Sequence, residues 1–368
     1  MTYDYLIVGA GFAGSVCARQ LADAGKKVLV IDKRDHIGGN AYDYVNEHGV
    51  RIHKYGPHIF HTNSDRVFEY LSRFTEWRPY EHRVLASVQG KLVPFPVNQT
   101  TLEMLGLEHL RSPAETGAHP ANAEEQCLQR VGPELYELFF KGYTTKMWGR
   151  EPRELDASVT ARIPIRWDSR DDRYFTDKHQ AMPKDGYAAL FERMLDHPGI
   201  ELRLGALSPT PECAAGIPFF AARNVIWTGP IDQFYGHRFG PLPYRSMRFA
   251  HVAGRWKQGE DHAAAVINNP RATGETRTTD WKRLAGVVNH RPTTFTYEYP
   301  TAEGEPYYPI PAPANQALYK RYEALADAEP NVTFLGRLGR YQYINMDQAV
   351  GQALLASERL IVSRPSTP

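Results

Sequence analysis

The chain has 368 residues, with 43 basic and 42 acidic side chains and a formal charge of +1. That length suits about two or three domains, and the charge balance gives no electrostatic reason to expect nucleic acid or an anionic membrane as partner. Cys17, Cys127 and Cys213 lie far apart without a CxxC, which argues against a disulfide framework and fits a reducing cytoplasm.

The stretch DYLIVGAGFAGSVCARQLADAGKKVLVIDKRDHIGG reads strand, glycine turn, helix, strand. It is not a signal peptide, because Asp4 stands where Lys or Arg belongs and the run continues into a polar helix. No run is long enough to span a bilayer. Gly9, Gly11 and Gly14 fill G-x-G-x-x-G: a tight turn, a close approach to a pyrophosphate, and helix packed on strand. The helix from Ala13 aims unpaired N–H groups at the phosphates, and Gly25 ends it. Asp32 closes the second strand, placed to accept ribose hydroxyls. Gly38 and Gly39 resemble the second glycine pair of glutathione-reductase-like flavoproteins, so the dinucleotide is read as FAD. A second G-x-G-x-x-G is missing, so no nicotinamide domain is apparent.

YGPHIFHT follows, with His58 and His61 around two apolar residues. Such a pair could hold a metal, move a proton or line a cofactor. Metal lacks an identified third ligand, and Gly56-Pro57 makes the segment a turn. A wall beside the flavin is favoured, with ordinary buried histidines as the alternative. RVLASVQGKLVPFP is strand-like, and residues from about 100 to 150 turn helical. Asn122 three before Glu125 has a capping-box arrangement. Gly132-Pro133 breaks the helix, and Pro133 suits the first turn of the next. Leu135, Phe139 and Tyr143 then share one helical face. Periodicity alone favours a packed bundle over a surface on which Tyr143 and Trp148 stack a planar base.

NVIWTGPIDQFYG reads as a return strand to the first domain. SMRFAHVAGRW, AAVINN and TTFTYEYP alternate with turn residues between, as in an antiparallel sheet. The last segment is strand, glycine loop and a helix starting near Asn345. The expected fold is therefore α/β: a Rossmann-like, glutathione-reductase-like FAD-binding domain with an inserted helical bundle and an antiparallel sheet domain. The FAD-binding part is expected over residues 1–80, 200–240 and 330–368, and the helical part over 100–150. The sheet and substrate part is expected over 81–99, 151–199 and 241–329. No phosphate loop, nucleophile elbow or zinc motif is present, so no metal is expected.

HIGGNAYD, YGPHIFHTN, FFKGYTTKMWGREPRELDAS, RIPIR, GPIDQFYG, EPYYPIP and GRLGRYQYINMD together resemble the bacterial UDP-galactopyranose mutase family, in family order to about residue 355. The resemblance implies an isomerase that interconverts UDP-galactopyranose and UDP-galactofuranose with no net redox change. Reduced FAD would act as nucleophile through N5, forming a covalent flavin–sugar adduct. The product would feed galactofuranose into cell wall polysaccharide. A UDP-sugar substrate, an external reductant for FAD, a cytoplasmic location and a homodimer follow as expectations.

Residue by residue, Arg162 and Arg277 match family arginines that clamp the diphosphate, a task suited to the planar guanidinium fork. Tyr174, Tyr308 and Tyr343 match tyrosines that bond it. Phe139, Tyr143, Thr144, Trp148 and Asn268 fall on the uridine side. Gly9, Gly11, Phe12, Gly14, Asp32, Lys33, Gly39, Asn40, His61, Arg337, Asn345 and Met346 fall on the cofactor side. His58 is placed beside flavin N5, with proton transfer open to it. Residues 164–180 match a loop that closes over substrate. Two departures, Glu275 and Trp281, leave open an N-acetylated or deoxy hexose in place of galactose. An FAD-dependent oxidase or dehydrogenase, and a catalytically idle flavin-fold module, are the other readings.

Overall fold

Tyr3–Val8 is the middle strand of a five-stranded parallel sheet in the computed structural model, which describes residues 3–113, 119–206, 222–254, 264–287 and 292–363. Across the sheet the order is Ile200–Arg203, Val28–Ile31, Tyr3–Val8, Ala222–Trp227 and Val332–Phe334. Strands buried on both faces must be apolar throughout, and Val28–Ile31 is buried at every residue. Helix Phe12–Asp23 packs beside the C-terminal helix Met346–Ser363. Cys17 and Cys127 are buried free thiols, while Cys213 lies outside the described residues. Among the described residues no helix is long and apolar enough to cross a membrane.

A second sheet has seven strands, in the order Tyr308–Pro309, Tyr244–Gly254, Thr293–Thr301, Arg277–Asp280, Val266–Asn268, Val84–Val88 and Lys91–Phe95. It departs from the expected all-antiparallel pattern at one pair. Val266–Asn268 runs parallel to Val84–Val88. The chain leaves the hairpin, builds the helical insertion and part of the first sheet, and only then returns. A connection that long imposes no hairpin direction.

His179–Pro183 joins Phe60–Thr62 and Trp77–Pro79 in a small sheet, and helix Gly186–Leu195 follows. This helix packs on Phe12–Asp23, with the Phe12 and Phe191 rings 4.7 Å apart. Residues 179–195 thus sit on the dinucleotide-binding body, not with the substrate part to which 151–199 was assigned. The cause is long-range. The buried Asp43 carboxylate accepts the Tyr187 and Ala188 amides at 2.9 and 2.8 Å, capping the helix from another element.

In the helical insertion, the Asn122 side chain accepts the Glu125 amide as expected. Gly132 breaks Ala123–Leu135 with φ 75° and ψ 174°. The next six residues, Tyr136–Lys141, are a π-helix before α-helix Gly142–Trp148. The extra residue per turn alters the expected face. Leu135 and Phe139 are buried, while Tyr143 is left half-buried at a cavity wall.

Candidate active site

The candidate site has two recesses. The first runs along the C-terminal ends of the parallel strands, where ligands bind in this fold. Gly9, Gly11, Phe12, Asp32, Lys33, Gly39, Asn40, His58, Arg337, Asn345 and Met346 all line it. Its shape fits a dinucleotide. A Cβ on Gly39 would come within 3.1 Å of the Gly11 Cα, so the two backbones flank a groove with no side chain between them. Gly14 stands behind the groove, and a Cβ there would lie 1.9 Å from the Gly9 carbonyl oxygen. The Asp32 carboxylate accepts the Ala10 and Arg34 amides at 2.8 and 2.9 Å, which leaves lone pairs for a ribose.

Of the two histidines, His58 lines the groove and His61 does not. His58 is held on three sides. Its amide donates to His53 Nδ1 at 3.0 Å, and its carbonyl accepts the Tyr187 hydroxyl at 3.0 Å. Its Nδ1 lies 2.9 Å from the Gly56 carbonyl oxygen, which can only accept, so Nδ1 carries the proton and Nε2 is an acceptor. Burial pushes the His58 pKa down to about 4, helped by Arg337 and Arg277 and opposed by the Gly56 bond. His61 instead stacks on Phe175, with centroids 3.6 Å apart, and its Nδ1 lies 3.1 Å from the Asp177 carboxylate. His61 thus contacts the end of loop 164–180. The register explains it: Phe60–Thr62 pairs with His179–Pro183, directly after that loop.

Phe139, Tyr143, Thr144, Tyr174 and Asn268 line the second recess together with Ala86, Phe95, Phe140, Ile163 and Pro270. Asn268 Oδ1 is buried there with no hydrogen-bond partner among the described residues. An unsatisfied buried acceptor among aromatic walls suits a planar ring that presents an N–H.

The arginines gather around Tyr308 and Tyr343, and Arg337 itself lines the first recess. The Arg162 guanidinium lies 4.3 Å above the Tyr343 ring, and Arg337 lies 4.9 Å from the Tyr308 ring. Tyr308, Tyr343 and Trp148 pack edge to face or tilted, with Tyr308 and Tyr343 centroids 5.0 Å apart. Burial works against the Arg277 charge, but the Glu298 carboxylate leads the groups that more than offset it. The guanidinium is held firmly charged. Burial raises the Tyr143 hydroxyl pKa, and Arg277 opposes it.

Sequence reading missed Glu298, His53 and His82. Glu298 is buried in Thr293–Thr301 beside Arg277, and burial raises its pKa against the pull of that arginine. The available signal was a lone carboxylate on the inward face of an alternating strand, which requires a partner. Gly56 allows the His58 loop to reach it, since a Cβ there would lie 3.3 Å from the Glu298 carboxylate. Trp281 does not line either recess; its Nε1 donates to Thr296 Oγ1 and its ring packs 4.8 Å from His53. Among the described residues no three His, Cys, Asp or Glu side chains are grouped to hold a metal.

A family profile described as UDP-galactopyranose mutase matches residues 138–343, which carry all three site arginines, and an NAD(P)-binding Rossmann-like profile matches residues 7–74. A probable UDP-galactopyranose mutase of Klebsiella pneumoniae is 40% identical over 98% of this chain and 95% of its own length. A dTDP-fucopyranose mutase of Escherichia coli is 36% identical over 97% of this chain and 98% of its own. The fold of a reduced UDP-galactopyranose mutase crystal structure covers 99% of this chain and 97% of that one, at a TM-score of 0.77 and 17% identity. With a cofactor groove shaped for FAD and near full-length likeness to these isomerases, the chain belongs to the UDP-galactopyranose mutase family.

Proposed function

We propose that this protein interconverts UDP-galactopyranose and UDP-galactofuranose. The observation that carries this reading is the cluster of Arg162, Arg277 and Arg337 with Tyr308 and Tyr343, with Arg337 lining the dinucleotide groove and Arg277 close to Tyr143 and Tyr174 of the aromatic recess. When bound, reduced FAD supplies the electron-rich ring that the family's chemistry requires. The chain's own residues do the rest. Phe139, Tyr143 and Thr144 take the uracil, with Asn268 Oδ1 accepting a base N–H. Arg162 and Arg277 grip the diphosphate and stabilise the charge that builds on UDP as the anomeric bond breaks. Tyr174, Tyr308 and Tyr343 donate to the phosphate oxygens. The neutral His58 offers Nε2 as an acceptor on the cofactor side. Loop 164–180 covers the site and keeps water from the sugar. The same reading includes an external reductant, a homodimer and a cytoplasmic setting.

The 36% identity to a dTDP-fucopyranose mutase favours a second reading, a deoxy hexose on a thymidine nucleotide. Both are tested by incubating dithionite-reduced protein with UDP-galactofuranose and, separately, with dTDP-fucofuranose, and resolving the pyranose products by chromatography. Conversion of the first supports the main reading, and conversion of the second alone supports the other. If neither reacts and an added amine or alcohol is oxidised instead, the mutase reading fails.

A further inference from the structure

Lys146 sits in helix Gly142–Trp148, between Tyr143 and Thr144 on one side and Trp148 on the other. Among the described residues its ammonium forms no ion pair with a carboxylate. It donates to three backbone carbonyls of one hairpin loop: Asn269 at 2.8 Å, Thr273 at 3.3 Å and Glu275 at 2.7 Å. The loop joins Val266–Asn268 to Arg277–Asp280, so its two ends carry Asn268 and Arg277. The Asn269 amide donates to the Thr276 carbonyl at 2.9 Å, closing the loop around the ammonium.

Helix and loop have no slack between them. A Cβ on Gly142 would lie 2.6 Å from the Pro270 carbonyl oxygen. From the other side, Arg245 holds the helix end through the Met147 and Lys146 carbonyls at 2.9 and 3.2 Å. The charged groups facing Lys146 are Glu275 and Arg271, which oppose one another.

We propose that Lys146 is a positioning residue: by pinning the 269–276 loop to helix 142–148, it sets the width of the gap that receives the nucleoside diphosphate. This rests on the nucleotide-sugar reading above. One wall of that gap is Tyr143 and Thr144, and the other is Asn268, with Arg277 opposite it on the paired strand. Three hydrogen bonds from a cation to neutral carbonyls fix a loop more firmly than neutral bonds would. Burial lowers the Lys146 pKa to about 8, so a rise in pH removes the charge within the working range of many enzymes.

The test measures UDP binding by calorimetry, and KM and kcat by turnover, on FAD-loaded wild type, Lys146→Arg and Lys146→Met. Lys146→Met is expected to bind UDP about tenfold more weakly or worse, with KM rising more than kcat falls. Lys146→Arg keeps the charge and recovers most of the affinity. Wild-type UDP affinity falls from about pH 7 to about pH 9, and the Lys146→Arg profile stays flatter. Unchanged UDP binding by Lys146→Met overturns the inference. If that variant fails to fold, identical pH profiles for wild type and Lys146→Arg overturn it. A wild type that binds no UDP at pH 7 overturns the functional reading, and this inference with it.

Discussion

Arg277 and Glu298 are register partners on neighbouring antiparallel strands, with the guanidinium 3.8 Å from the carboxylate. On the proposed function Arg277 would hold a substrate phosphate as well as this buried acid. Arg277→Ala is expected to lower kcat/KM by about 100-fold or more, the usual cost of losing one group that stabilises a developing anion. It should also destabilise the fold by leaving Glu298 unpaired. Adding Glu298→Gln should restore much of the melting temperature and none of the activity. A double variant that recovers turnover would remove Arg277 from the chemistry.

Burial depresses two histidine pKa values from the ordinary 6.5, His58 to about 4 and His82 to about 3, with burial the main cause in each and Arg277 adding to both. The unfolded chain binds these protons more readily than the native one. Stability is thus full above 6.5 and is lost as pH falls toward the native values. The melting temperature should drop by roughly 5 °C or more between neutral pH and about pH 4. His82→Asn, which can still meet Tyr80, should shrink that drop. An unaltered pH dependence in this variant would show that other groups govern it.

Gly14→Ala should abolish flavin retention, because the new methyl collides with the Gly9 carbonyl oxygen and pushes the helix off the glycine turn. The purified variant is expected to lose about nine-tenths or more of its yellow absorbance. Retention of full flavin content would mean that helix and turn can shift without cost.

His61→Ala separates the two roles open to that residue. With His61 stacked on Phe175, its loss should loosen the end of loop 164–180 and cut kcat/KM about tenfold. The visible flavin spectrum should not change. A shifted spectrum would place His61 beside the isoalloxazine, as sequence reading first expected.

The glycine turn, Asp32 and the return strand were legible because local chemistry dictates them: short apolar strands, a turn that tolerates only glycine, an acid at a strand end. Arg162, Arg277 and the tyrosines are singled out only as members of a motif set, since nothing in an isolated arginine distinguishes a phosphate clamp from a surface pair. Glu298 carried only the signal of an inward carboxylate in need of a partner, and that partner could not be named because it lies across a strand pairing that only the fold creates. The same holds for Asp43 capping a helix that begins at Gly186. The neighbours of His61 were not legible either, because they depend on which strand is laid beside it.

The π-turn at Tyr136–Lys141 ties sequence length to recognition. Removing any one of those six residues would let the segment relax into ordinary helix, since a single deletion supplies the missing register. Everything after it would then keep its bearing, because the six residues at the wide pitch turn the chain about as far as one fewer would in ordinary helix. Forcing all six into ordinary helix without a deletion would instead rotate Tyr143, Thr144 and Lys146 by about 100° from their present targets. A chain shortened by one residue here should therefore fold, stay yellow and still meet its nucleotide, whereas one straightened at full length should stay yellow and be blind to it.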